Sequence, residues 1–537
     1  MEFEAPFEPF VHRWSKLLEY KDRKDIDNVT EEHLELLYDV LKVELEAVLK
    51  NFEDYVEMGV TTYDNLWTIF QPGGLIYSGS HGGATGAFQL ASGKYVELSC
   101  GGFAYELTAD CIDWNGSHFG RSSQKLYIPE FIGTAKILGL RAFPLSFHPS
   151  KDEVSELLVK RGQKFEGLAG CHFKKYNGYA ITWDREGKET PTYCSGRVVI
   201  DSNTFRNYAP RYVAGIEALA AKEGASEPES DTTSDDDQSD ENYIFGKGTE
   251  TKRLRLTKGL QLTCSSRVRG YSLTKKEWLI FYVDLVEDIK FNDNAFESLV
   301  LPEDQKELIL SFAEAQTMEN SSFDDVVAGK GKGFVTLLSG PPGVGKTLTA
   351  ESVAEHMHAP LYMMSSGDLG SRPDQVEHRL RNVLEMIAKW NAVLLLDECD
   401  VFLEKRSTHD LERNKLVSIF LRTLEYYEGI LFLTTNRIDN IDTAFQSRIH
   451  VSLAYPDLSP ESRRHIWVNF TKQLNMQGWD ERDLDEVAEI ELNGRQIKNV
   501  LKSAALLSAR KKEPLGRKYI DMVLAIEKRR PGVAGGF

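Results

Sequence analysis

Residues 340–347 read GPPGVGKT. Glycines at 340, 343 and 345 let a backbone curl so that its N–H groups face inward around phosphate oxygens. The apolar run FVTLL precedes them and the helix-forming run LTAESVAEHM follows, so the new helix adds its N-terminal partial positive charge. The expected phosphate-binding set is Gly340, Pro341, Pro342, Gly343, Val344, Gly345, Lys346, Thr347 and Leu348. Lys346 is expected to reach the β- and γ-phosphates of ATP, and the Thr347 hydroxyl to ligate Mg²⁺.

Three further segments supply polar groups at the ends of apolar runs. In VLLLDE, the four residues Val393 to Leu396 form a buried strand that delivers Asp397 and Glu398 at its C-terminal end, the edge where parallel sheets bind ligands. Asp397 is expected to hold Mg²⁺ through its water, and Glu398 to accept a proton from an attacking water. An isolated strand ending in solvated acids is the bland alternative, weakened by the phosphate loop upstream. ILFLTTNR, residues 430–437, brings Asn436 to orient that water. FQSRIH puts Arg448 beside a strand start, where it reaches a neighbouring subunit's phosphate more easily than its own. A surface Arg paired with an acid is its alternative. Arg495, in LNGRQIKN, opens a helix and could fold over the nucleotide in cis; an exposed Arg in a first helical turn is the alternative.

These groups need a scaffold that alternates. Strands are predicted at Phe334–Leu338, Leu361–Met364, Ala392–Leu396, Ile430–Thr434 and His450–Leu453, with helices at 347–358, 374–390 and 411–427 between them. Strands alternating with helices imply a parallel sheet covered on both faces. After Pro456 the pattern is helical only, at 460–474, 481–488 and 494–511, which suggests a lid. The expected division is an α/β nucleotide-binding part over 295–455 and a helical lid and tail over 456–537.

The preceding half reads differently. Leu34, Leu37, Leu41, Leu45 and Val48 form one stripe of a helix over 28–52, within an N-terminal segment 1–59. Residues 60–223 carry short β-type runs punctuated by Gly, Asn and Asp and are expected to be a β-rich α+β domain. Its GSHGGATG at 79–86 lacks a Lys and reads as a hairpin loop. Residues 224–242 hold eight acids and no base, a composition that cannot offset its ordering entropy, so 224–246 is expected to be an acidic linker or loop. A basic β-rich connector is expected over 247–294, since 247–276 has nine Lys or Arg against one Glu.

The 537-residue chain has 41% hydrophobic and 27% charged residues, an ordinary globular balance of roughly three domains. Its net charge of −18 argues against a protein that coats nucleic acid or anionic membrane. Neither a membrane span nor a secretory leader is expected. Six separated cysteines form no CxxC pair and read as reduced thiols of an intracellular protein, the cytoplasm first, with the nucleus or an organelle surface left open. His356 and His358 have no acid or Cys at ligand spacing and are assigned structural or solvent roles.

The ordered set GPPGVGKT, LLLDE, LTTNR, SRIH and NGRQI resembles an AAA-family ATPase module over roughly 295–525. The resemblance implies a P-loop NTPase fold with a five-stranded parallel sheet and a C-terminal helical lid. It implies ATP and Mg²⁺ at Lys346, Thr347 and Asp397, catalysis by Glu398, a first sensor at Asn436 and a trans-acting finger at Arg448. Arg448 matches the second of two arginines that the family often shows; the first has no counterpart. Arg495 resembles a second sensor, although many AAA proteins have Ala-Asp there. The family works as hexameric rings, so a homo-oligomer is implied. The stretch LLLDECDVFLEKRS onward and RGQKFEGLAGCHFKKYNGYA at 161–180 resemble fungal AAA proteins with a β-rich N-terminal domain of no established function. One departure matters. AAA unfoldases carry an aromatic pore loop after the second strand; SSGDLGSRPD at 365–374 has no aromatic, which puts polypeptide threading in doubt.

The leading expectation is thus an ATP-hydrolysing machine that remodels or moves an unidentified protein, bound directly or through an adaptor by the N-terminal domain. The alternative is a nucleotide-controlled switch with slow hydrolysis. A nucleic-acid motor, suggested by SRIH and the basic segment, is set aside by the acidic charge balance.

Overall fold

The computed structural model describes residues 5–23, 26–79, 85–99, 101–212, 215–219, 255–317, 333–370, 372–406, 410–437, 441–474, 476 and 479–527. The acidic stretch 224–246 and part of the Gly-rich loop lie outside them. The chain divides into two compact units, 1–244 with 248–287, and 288–537 with 245–247.

After two short helices, Glu8–His12 and Trp14–Lys21, the first unit has a long helix, α1 (Asn28–Glu57), five residues longer than its predicted stripe. Asp27 caps it by accepting from the Thr30 N–H at 2.9 Å. Leu41 and Leu45 are buried with Trp67, Phe70 and Leu107, so this helix packs on the adjoining sheet rather than standing apart. That sheet is antiparallel and runs β1 (Leu75–Ser78), β2 (Gly86–Glu97), β3 (Phe103–Trp114) and β4 (Phe119–Pro129), with β5 (Ala142–Pro144) beside β1. β1 and β2 pair as a hairpin around the Gly-rich loop.

A helix not anticipated from sequence, α2 (Lys151–Gly167), leads to a second antiparallel sheet. Its long ribbon is β6 (Cys171–Trp183) and β7 (Glu189–Asp201), joined from Cys171↔Asp201 to Trp183↔Glu189. Glu217–Ala218 (β8) returns to the edge of the first sheet, against β4. The strands expected to form a connector over 247–294 correct that expectation. β9 (Arg267–Ser272) pairs with β7, and β10 (Glu277–Tyr282) pairs with β9 and touches β6 at Ile280↔Ile181. They finish the sheet that β6 and β7 began, because Val268, Leu279 and Phe281 bury with Tyr176 and Val198 in one core. Their basic residues follow the same logic. Arg269 of β9 forms a bidentate pair with Asp113 of β3, at 2.7 and 3.1 Å, and both side chains are nearly buried.

The second unit holds a five-stranded, wholly parallel sheet. In chain order the strands are β11 (Phe334–Ser339), β12 (Leu361–Ser365), β13 (Val393–Asp397), β14 (Ile430–Thr435) and β15 (Val451–Ala454). Their order in the sheet is β12-β13-β14-β11-β15. Between them lie α3 (Lys346–His356), α4 (Pro373–Trp390) and α5 (Leu411–Glu425). Leu394, Leu395, Leu431 and Leu433 are fully buried, as strands covered on both faces must be. α4 turns the face Val376, Leu380, Val383, Ile387 and Trp390 inward and ends on Asn391 in the left-handed region (φ 49°). The lid contains α6 (Pro460–Gln473), α7 (Glu481–Glu489), α8 (Gly494–Lys511) and an unforeseen α9 (Arg517–Glu527), gathered around the buried Trp467, Tyr519 and Ile520.

Removing one partner of a nearly buried ion pair leaves the other charge uncompensated. Arg269→Ala is therefore expected to cost the first unit about 3–5 kcal/mol, whereas Arg269→Met with Asp113→Leu costs less. Urea unfolding followed by tryptophan fluorescence measures both; an equal cost for the two variants would remove the buried charge as the cause.

Candidate nucleotide site

The loop that leaves β11 has little freedom. Its N–H at Gly340 donates to the Thr435 carbonyl at 3.2 Å, and a Cβ on Gly340 would stand 2.3 Å from the Tyr455 carbonyl oxygen. Gly340, Gly343 and Gly345 take φ values of 143°, 83° and 112°, which disfavour L side chains. Gly345 then stands at the N-cap of α3 without a side-chain cap, leaving first-turn amides for an anion.

Lys346, 8% exposed, donates to the Gly340 and Pro341 carbonyls, each at 2.8 Å, and to Asn436 Oδ1 at 2.9 Å. Burial lowers its pKa, against the pull of Asp397 and Asp400, while nearby Arg495 lowers it further. The Thr347 hydroxyl lies 3.4 Å from Asp397 Oδ1. A hydroxyl and a carboxylate at a phosphate cradle are hard oxygen donors, the type that Mg²⁺ takes. The structure thus brings Lys346, Thr347, Asp397 and Asn436 together from three strand ends, with Glu398 next in chain.

The lid closes the other side. Asn493 caps α8 by accepting from the Gln496 N–H at 2.9 Å, and the Gly494 N–H donates to the Gly343 carbonyl at 2.9 Å. A Cβ on Gly343 would come within 2.7 Å of the Asn493 side chain. Arg495 is the next residue of α8 and is exposed. Arg448 makes its contacts elsewhere. It donates to the Ala444 and Leu421 carbonyls at 2.9 and 3.1 Å and to Glu425 at 3.4 Å, which is the local pairing given above as its alternative.

Sequence reasoning missed the groups that hold these residues. Thr434 is 1% exposed; its hydroxyl donates to Asp397 Oδ1 at 2.5 Å and accepts from the Glu398 N–H at 3.0 Å. Its carbonyl accepts from the Cys399 N–H at 3.0 Å. These bonds fasten Glu398 in a left-handed conformation, φ 53°, uncommon for a non-glycine residue. The Thr435 hydroxyl bonds the Asp400 carboxylate. Tyr455 meets Thr349 Oγ1 at 2.7 Å under the loop. The paired hydroxyls at the end of ILFLTTNR were the available signal, since two buried hydroxyls need partners. His358 stacks on Phe291 at 4.2 Å and bonds Asp293 at 2.9 Å; no metal-ligand cluster occurs among the described residues. None of their helices is long and apolar enough to cross a membrane.

Residues 336–457 match the family model of the ATPase family associated with various cellular activities, AAA. This chain carries an AAA domain. Residues 51–149 match a domain of unknown function, DUF7025. Over 193 residues the chain is 32% identical to the cell division cycle protein 48 homolog of Archaeoglobus fulgidus, covering 33% of this chain and 26% of that protein. It is 27% identical over 244 residues to the 26S proteasome regulatory subunit 8 homolog of Schizosaccharomyces pombe, covering 43% and 60%. It is 30% identical over 194 residues to the ATP-dependent zinc metalloprotease FtsH of Lachnoclostridium phytofermentans, covering 33% of each. The chain therefore spans between a quarter and three fifths of these relatives, and the likeness supports ATPase activity for the AAA domain.

Thr434→Val keeps the shape and deletes the hydroxyl, leaving the Glu398 N–H and Asp397 each short of a partner at a cost of about 1–3 kcal/mol. ATP turnover is expected to fall about tenfold with nucleotide affinity nearly unchanged, and Thr434→Ser to restore it. Turnover assays with fluorescent-nucleotide titration check this; parallel loss of affinity would contradict it.

Proposed function

We propose that this chain binds ATP with Mg²⁺ and hydrolyses it to remodel or move a protein or complex, working as a ring oligomer. The observation that carries the reading is the convergence of Lys346, Thr347, Asp397, Glu398 and Asn436 on one sheet edge beneath a lid helix. Lys346 exchanges its carbonyl and Asn436 partners for phosphate oxygens, which its buried, preorganised position favours. Thr347 and Asp397 hold the metal, which neutralises phosphate charge. Glu398 takes the proton of the attacking water, and Asn436 orients that water. Arg495 closes over the nucleotide from the same chain. Arg448 serves the neighbouring subunit, and the first unit recruits the substrate or adaptor.

A second reading is a nucleotide-controlled switch with slow hydrolysis. The feature that favours it is the stretch 365–374. Its described residues include a short helix, Ser366–Leu369, boxed by Ser365 and Asp368, and the start of α4, with no aromatic side chain for gripping a threaded chain.

ATP turnover against protein concentration, for wild type, Glu398→Gln and Arg448→Ala, separates the two. A machine with shared sites gives specific activity that rises with concentration, and Arg448→Ala abolishes turnover while nucleotide still binds. Concentration-independent, slow turnover that is indifferent to Arg448 would transfer support to the switch.

A further inference from the structure

α1 is apolar on two faces. The inner face, with Leu41 and Leu45, is packed on its own sheet. The outer face carries Val29, Leu36, Val40 and Val43, which are 62, 65, 62 and 76% exposed. With exposed Ala47 they are spaced seven, four, three and four residues apart, and His33 fills the remaining seam position. This is the a/d repeat of a helix that pairs with another helix. A folded domain rarely leaves such a continuous seam in water without a partner.

The seam's edges say what partner fits. Glu32, Asp39 and Glu46 line one edge, and Glu44 lies on the other. Residues 28–50 hold six acids against two lysines. A second copy of this helix would set acids against acids: antiparallel pairing aligns the two acidic edges, and parallel pairing sets Asp39 against the partner's Glu44. An anionic lipid surface is repelled in the same way. Lys or Arg at the edges of an incoming seam would be paired instead.

We propose that the solvent-facing seam of α1 docks an amphipathic helix of another protein whose own apolar stripe is flanked by Lys and Arg. This site belongs to the first unit and does not depend on the nucleotide chemistry of the second.

The test uses the full chain and a fluorescein-labelled peptide of about 28 residues, four heptads with Leu at the seam positions and Lys or Arg beside them. Fluorescence anisotropy compares it with a scrambled peptide of equal composition and with a heptad peptide carrying Glu at its edges. The chain variant is Leu36→Gln/Val40→Gln/Val43→Gln; all three side chains are exposed, so circular dichroism should be unchanged. Saturable binding of the basic heptad peptide is expected. The triple variant and the scrambled peptide should each weaken it at least tenfold, and added salt should weaken it further. Equal binding by the scrambled or acidic-edged peptide, equal binding by the triple variant, or no saturable binding would overturn the proposal. So would self-association of the wild type that the triple variant abolishes, since that would make a second copy the occupant.

Discussion

The end of β11 has no room for a side chain. Two neighbours hold it: the Tyr455 N–H donates to the Ser339 carbonyl at 2.7 Å, and the Gly340 N–H donates to Thr435. The chain must leave this slot through a residue without Cβ, because the Tyr455 carbonyl occupies the space where one would stand. Everything chemical follows from that exit. The curled loop turns its carbonyls toward the Lys346 ammonium, Gly343 admits the cap of α8, and its last glycine starts α3 with no side-chain cap on the first-turn amides. The curl of this loop is thus a consequence of how tightly a central parallel strand is flanked.

The sequence was legible where function sits at the ends of apolar runs. The proximity of Lys346, Thr347, Asp397 and Asn436 follows from their places, each one step beyond a buried strand or glycine loop, because a parallel sheet gathers such ends along one edge. Strand limits were displaced by about a residue for a physical reason. The ladder pairs Ser339 with Thr435 and Ser365 with Asp397, so it continues past the last apolar residue. What could not be read was spatial order. Tyr455 and Thr435 flank Gly340 only because β11 lies between β14 and β15, neither of which is the next strand in the chain.

The first unit shows the same limit more sharply. Its β-rich character was evident, but the strands after the acidic stretch were taken for a connector. Their role depends on pairings such as Gly270↔Ile200, which span 70 residues and carry no local signature. The basic excess around Arg269 marks, in the sequence, only a basic connector. In the fold, Arg269 meets Asp113 from another sheet, and a charge that seemed free is bound inside the unit. By contrast, α1 was legible on its inner stripe alone, because its two apolar stripes share one helical period and only packing on the sheet tells the buried one from the exposed one.

Arg448 and Arg269 show two ways in which this chain holds a guanidinium. Within the single chain the Arg448 guanidinium is held by the carbonyls of Leu421, in the last turns of α5, and Ala444, and by one half-buried acid, Glu425. A carbonyl oxygen is a weaker partner for guanidinium than a phosphate, and the Glu425 contact at 3.4 Å is long for a charge-assisted bond. The present arrangement is therefore one that an incoming phosphate could displace at small cost, since the carbonyls of Leu421 and Ala444 keep their other hydrogen-bonding capacity. A buried bidentate pair of the kind Arg269 makes would have tied the group permanently. These two arginines differ in how they are held, one locked between sheets and one lightly tethered beside a strand start, and only the second leaves room for the trans-acting role proposed for Arg448.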